Sequence, residues 1–163
     1  MTSADFQPDA PRYRYPAGST QRPYVHPGDL VPRFFARLID GILVNIVVFV
    51  LSMFLFRDDW FLVTGLFSGL LMFGYFVLLE VTQGTSVGKR LLGMRVLGSG
   101  GRPKPVFSQS AIRNSFTLLA AVPYVGSLLA FIAYIVIAVT INASPCKQGK
   151  HDELAGGTQV IKG

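Results

Sequence analysis

Arg33, Arg37 and Asp40 carry the first chemical signal in this chain, in the stretch Arg33-Phe34-Phe35-Ala36-Arg37-Leu38-Ile39-Asp40. On a helix they fall at i, i+4 and i+7 and share one face, so they are placed to pair along it. An apolar run, Gly41 to Phe56, follows directly. From Asp40 to Phe56 a helix rises roughly 24 Å, against a hydrocarbon core of about 30 Å, which sets Asp40 just inside the near boundary of a bilayer. A carboxylate at that depth is costly. It needs a cation, and Arg37, Arg33 or a neighbouring helix is the expected source.

Two kinds of work suit such a group. A partly desolvated carboxylate can exchange a proton or bind a cation, with Arg33 limiting its affinity. The same charges can instead fix a fold. Glu80, Lys89, Arg113 and Asp152 are the other candidates, and all are expected to meet Arg33, Arg37 and Asp40 in one cluster on the cytoplasmic face.

Enzymatic chemistry is not expected. No nucleophile stands beside a base, and His26 and His151 read as loop residues. Cys146 is the only cysteine, with no partner at metal-ligand spacing, so neither metal nor cofactor is expected. Gly84-Thr85-Ser86-Val87-Gly88-Lys89 resembles a phosphate loop but is one residue short between its glycines. Arg90 also stands where a hydroxyl would hold magnesium, which excludes a nucleotide site.

The elements that must position these residues follow from composition. The chain has 163 residues, 50% hydrophobic and 15% charged, with mean hydropathy +0.44. That is too apolar for a soluble domain of this length. The net charge of +6 comes from cations beside apolar spans rather than from a nucleic-acid face. The expected partner is the lipid bilayer, with a homo-oligomer or larger membrane complex beyond it and no nucleic acid.

Residues 1–30, rich in Pro, Tyr and Arg, form an expected disordered cytoplasmic tail, and no signal peptide is expected there. Residues 31–163 form the membrane domain, with helices over about 33–56 and 61–80 joined by an outer loop Arg57-Asp58-Asp59-Trp60. Gly65 and Gly69 make a small-xxx-small pair for close helix approach, chiefly against the first helix.

Thr82 to Arg113 holds Lys89, Arg90, Arg95, Arg102, Lys104 and Arg113 and no acidic residue. By the positive-inside rule this segment and the N-terminus face the cytoplasm. The last apolar stretch, Ser115 to Ile141, would be about 40 Å long as one helix. It is expected to break at Pro123-Tyr124-Val125-Gly126 into a short or re-entrant helix, 111–122, and a return helix, 125–141. Arg95-Val96-Leu97 is expected to pair as a strand with the C-terminal residues to Ile161, and Pro105-Val106-Phe107-Ser108 reads as a short return strand.

These residues resemble the RDD family of membrane proteins, named for one arginine and two aspartates. The likeness rests on Arg33, Ala36, Ile39 and Asp40. It continues with Gly84, Ser86, Gly88, Lys89, Arg90 and Gly93, where Ser86 takes the place of a threonine. Ala111, Arg113 and Asn114 follow, then His151, Asp152, Ala155, Gly156 and Thr158, with Gly157 as an insertion. The resemblance implies an all-α integral membrane fold, and the family has been linked to transport, including cation/proton exchange.

The expected protein is therefore a small polytopic helical bundle of three to four membrane segments with a short cytoplasmic β-element. It is placed in the plasma membrane with its N-terminus in the cytoplasm. Two functions stand side by side. One is transport of a small ion or solute through the Arg/Asp cluster. The other is a non-catalytic accessory or scaffold role, with docking to a complex or to anionic lipid through the glycines and the basic loop.

Overall fold

The structure, a computed structural model, describes residues 26–55, 60–122 and 124–163, with the side chains of 55 and 60–66 left aside. Residues 57–59 of the expected outer loop and most of the expected N-terminal tail lie outside the described residues, whereas Trp60, assigned to that loop, opens a helix.

Helix α1 (Leu30–Leu55) and helix α2 (Trp60–Gln83) are the two long elements. Pro32 sits in the first turn of α1, where its missing N–H removes no helical bond. At helical rise, 26 and 24 residues span roughly 39 and 36 Å. After α2 the chain makes a short helix α3 (Val87–Leu91), strand β1 (Met94–Leu97) and a 3-10 turn at Ser99–Gly101. Helix α4 (Phe107–Asn114) then runs into a 3-10 helix (Ser115–Ala121), and helix α5 (Gly126–Ala143) follows. Helix α6 (Lys150–Leu154) and strand β2 (Gln159–Lys162) close the chain.

Two helices, Leu30–Phe54 and Gly126–Ala143, are long and apolar enough to cross a membrane. Their apolar side chains point outward: Phe34, Ile46, Phe54, Phe131 and Val139 are all more than half exposed. Fully buried positions are instead rich in charge and polarity, including Asp40, Glu80, Asn114, Asp152 and Thr158. That inversion suits lipid as the solvent of the helices, with polar groups satisfied inside.

At one end of the bundle the strands β1 and β2 pair antiparallel, Arg95 opposite Ile161 and Val96 opposite Val160. Ala36 of α1 packs with Met94, Val96 and Val160 in a small apolar core. The pairing of the Arg95-Val96-Leu97 strand with the C-terminal strand is as expected.

Several expectations need correction. Residues 26–29, assigned to a disordered tail, are tied to β2: Pro27 bridges Ile161, the Gly28 N–H donates to Val160 and the Lys162 N–H to His26. Phe107 opens a helix rather than a return strand, because Pro105 and the extended Val106 start it and Gln109 Oε1 reaches back to the Val106 N–H at 3.2 Å. The region 111–122 is not one helix but the end of α4 followed by a 3-10 helix. His151 and Asp152 lie on α6 rather than in a turn.

Gly69 approaches the 3-10 helix rather than α1: a Cβ there would lie 2.8 Å from the Ala121 nitrogen. The surroundings of Gly65 lie outside the described residues. The expected break before α5 is present, with Tyr124 at positive φ.

Candidate functional site: a buried charge network

The polar end of the bundle is built on six charged side chains from five helices. Arg33 and Asp40 come from α1, Glu80 from α2, Lys89 from α3, Arg113 from α4 and Asp152 from α6. All six are buried.

Glu80 sits near the C-terminal end of α2, where the helix leaves its apolar stretch. Lys89 Nζ donates to its Oε1, while Ser110 Oγ and Asn114 Nδ2 each donate to its Oε2 at 2.9 Å. Ser110 and Asn114 are one helical turn apart on α4, so both reach the same oxygen.

Arg113 spans the two acidic centres. Its Nη1 is 3.1 Å from Asp152 Oδ1 and its Nε 3.7 Å from Glu80 Oε1. Neither nitrogen has an aligned hydrogen-bond acceptor among the described residues, so charge rather than bond direction holds this guanidinium. Asp152 is also met by Arg33 Nη1 at 3.4 Å, by the Thr158 hydroxyl at 3.3 Å and by the Gly149 N–H at 3.4 Å. Arg33 further donates to the carbonyls of Gly28 and Val160. It thereby joins the start of α1 to α6 and β2.

Asp40 departs from expectation. No cation approaches it within 4.0 Å among the described residues. It accepts instead from the Tyr75 hydroxyl at 2.6 Å, the Ser86 hydroxyl at 2.6 Å and the Gly88 N–H at 2.7 Å. The expected pairing along α1 does not form, because Arg33 turns toward Asp152 and Arg37 toward Asn114. Three donors satisfy the carboxylate where a cation was expected.

Gly88 makes that geometry available. A Cβ at this position would collide with the backbone carbonyl of Ala36, so only glycine lets α3 lie close enough to α1 to hand its N–H to Asp40. Ala36, with no exposed surface, is small for the same reason.

Arg37 is half-buried and has no carboxylate partner within 4.0 Å among the described residues. Its Nη2 donates to Asn114 Oδ1 at 2.8 Å, and its guanidinium lies 3.8 Å from the Phe76 ring centroid. Its Nη1 is buried without an acceptor.

Burial shifts the titration of the groups outside the long helices. It lowers the pKa of Lys89 to about 8 despite the pull of Glu80. It lowers that of His151 to about 3, Arg113, Arg37 and Arg33 adding to burial and outweighing Asp152. The imidazole is therefore neutral, and its 3.5 Å approach to Asp152 is a polar contact. For Asp152 burial acts upward, but Arg113 and Arg33 outweigh it and hold the carboxyl below its ordinary value.

The structure thus brings Arg33, Glu80, Lys89, Arg113 and Asp152 into one continuous network, with Arg37 attached through Asn114 and Asp40 in a separate centre. Tyr75 and Ser110 were not anticipated. A single tyrosine or serine on an otherwise ordinary helix gives no pattern to read.

These features define a helical membrane protein whose polar end is organised by buried ion pairs and hydrogen-bonded carboxylates. The chain belongs to the RDD family, whose family model matches residues 27–156. No curated protein and no solved structure matches it.

Proposed function

We propose that this chain is a non-catalytic accessory or scaffold component of the plasma membrane. Its charge network would serve to assemble the cytoplasmic face rather than to move ions. The observation that carries this reading is that each buried carboxylate is already engaged: Glu80 by two cations and two neutral donors, Asp152 by two arginines, Asp40 by three neutral donors. A transport carboxylate must exchange its partners, and none of these three lines the cavity between α1, the 3-10 helix and α5.

The topology that fits is two full crossings by α1 and α2, an entry by the 3-10 helix and a return by α5. His26 and Lys162 are hydrogen-bonded at the polar end, so the two ends of the described chain would share one side. Lys89, Arg90, Arg95, Arg102, Lys104, Lys147, Lys150 and Lys162 support assigning that side to the cytoplasm. A homo-oligomer or a larger membrane complex is the expected assembly.

One observation favours cation/proton exchange as a second reading. Asp40 is a buried carboxylate with no cation beside it, the state in which a proton or metal cation competes best.

Flux in liposomes holding the purified protein separates the two. The scaffold reading expects no proton or cation flux from wild type, and lower yield and thermal midpoint for Asp40→Asn. Flux in wild type that Asp40→Asn abolishes at unchanged yield would overturn it.

A further inference from the structure

Between α1, the 3-10 helix and α5 lies a cavity of about 730 Å³, within the roughly 300–1,000 Å³ range of ligand sites. Its walls are apolar, from Leu38 and Ile42 on α1 to Phe131, Ile135 and Ala138 on α5. Several of these side chains are about half exposed, so the cavity is a groove that opens sideways toward lipid.

Its two ends differ. At the polar end Arg33, Arg37, Lys89 and Arg113 line it, and among the described residues no Asp or Glu does. Asn45 and Ser68 stand at the other end, hydrogen-bonded to each other at 3.2 Å. From Arg33 to Asn45 the groove follows α1 for roughly 18 Å, close to the ~15 Å depth of one leaflet's hydrocarbon.

The charge balance selects the occupant. Arg33, Lys89 and Arg113 are engaged by Glu80 and Asp152, but Arg37 has no carboxylate within 4.0 Å among the described residues and keeps its buried Nη1 without an acceptor. Three of the four cations at this end of the apolar slot are thus compensated by acids behind its wall, and Arg37 is the one left without such a partner among the described residues. An arginine with a free donor is well suited to phosphate oxygens.

We infer that the groove between α1 and α5 holds one anionic phospholipid, its phosphate at Arg37 and an acyl chain along Leu38, Ile42, Phe131 and Ile135. The site goes beyond the scaffold reading, because lipid retention does not depend on whether ions are moved. It is also separate from surface adsorption on the exposed basic loop, since Arg37 lies within the bundle.

The test is native mass spectrometry of the full chain released from nanodiscs of equal phosphatidylglycerol and phosphatidylcholine with identical acyl chains. Wild type is expected to retain one phosphatidylglycerol at roughly tenfold preference. Arg37→Gln should lose the preference, Arg37→Lys should keep most of it, and Ala138→Trp should lose bound lipid of both kinds by filling the slot. Arg95→Gln, on the exposed face of β1, should behave as wild type.

Equal retention of the two lipids, or a preference that survives both Arg37→Gln and Ala138→Trp, would overturn the assignment. So would a lipid-free dimer cross-linked between α1 of one copy and α5 of another, which would give the groove to a second chain. Comparing thermal midpoints of the variants separates lost lipid from lost fold: a variant that retains wild-type stability without lipid reports on the site.

Discussion

Asp40 Oδ2 accepts a 2.6 Å hydrogen bond from the hydroxyl of Ser86, forty-six residues further on. That bond, with the Gly88 N–H on Oδ1, makes Asp40 the anchor that holds α3 against α1. Removing the Ser86 hydroxyl leaves a buried acceptor short of a partner, at a cost of about 1–3 kcal/mol. Ser86→Ala is therefore expected to lower the thermal midpoint in detergent, and Ser86→Thr to preserve most of it. In a double-mutant cycle with Asp40→Ala the two losses should be markedly less than additive.

Gly88→Ala tests the same joint from the backbone side. The added methyl meets the Ala36 carbonyl, so α3 must move away and withdraw its N–H from Asp40. Scanning fluorimetry should show a loss of about 1–3 kcal/mol, though alanine is the better helix former. An unchanged midpoint would mean that α3 is not clamped as described.

Glu80 is the counter-charge for Lys89 and lies within reach of Arg113. Glu80→Ala leaves both cations buried without it, and losses on breaking a buried pair run to about 3–5 kcal/mol. The expected readout is poor membrane yield and aggregation on extraction. Glu80→Leu combined with Lys89→Met should recover part of the yield, since it removes one charge of each sign.

His151 makes stability pH-dependent. Its folded pKa of about 3 lies below the ordinary 6.5, so the unfolded chain binds the extra proton. Stability is then full above pH 6.5 and falls as pH drops toward 3, by up to about 1.4 kcal/mol per pH unit. Asp152, also depressed, adds to the loss where the pH falls below its ordinary carboxyl range. The groups facing His151 are Asp152, Arg113, Arg37 and Arg33, with the Phe116 ring 5.9 Å away. His151→Phe should flatten the thermal-midpoint profile between pH 6.5 and 4.5 while leaving it nearly unchanged at pH 7.5.

The helical framework and its helices long and apolar enough to cross a membrane could be read from the chain, because a lipid solvent calls for long, nearly uninterrupted runs such as Gly41 to Phe56. The break before α5 was readable for the same reason, since the run from Ser115 exceeds one crossing. The partners of the charged residues could not be read in this way. Spacing places Arg33 and Asp40 on one face, but spacing cannot say that Arg33 reaches across 119 residues to Asp152. Nor can it say that neutral donors from Tyr75, Ser86 and Gly88 replace the cation at Asp40.

By itself, then, the sequence determined which residues are costly to bury and which segments are long and apolar enough to cross lipid, because both follow from side-chain chemistry and length. Only the tertiary structure decided how that cost is met. Pairing depends on which helix ends converge, and convergence depends on contacts such as Gly88 against Ala36 and Gly69 against Ala121. The groove beside Arg37 likewise exists only because α5 returns at a distance from α1, a relation between separate elements that no local pattern encodes.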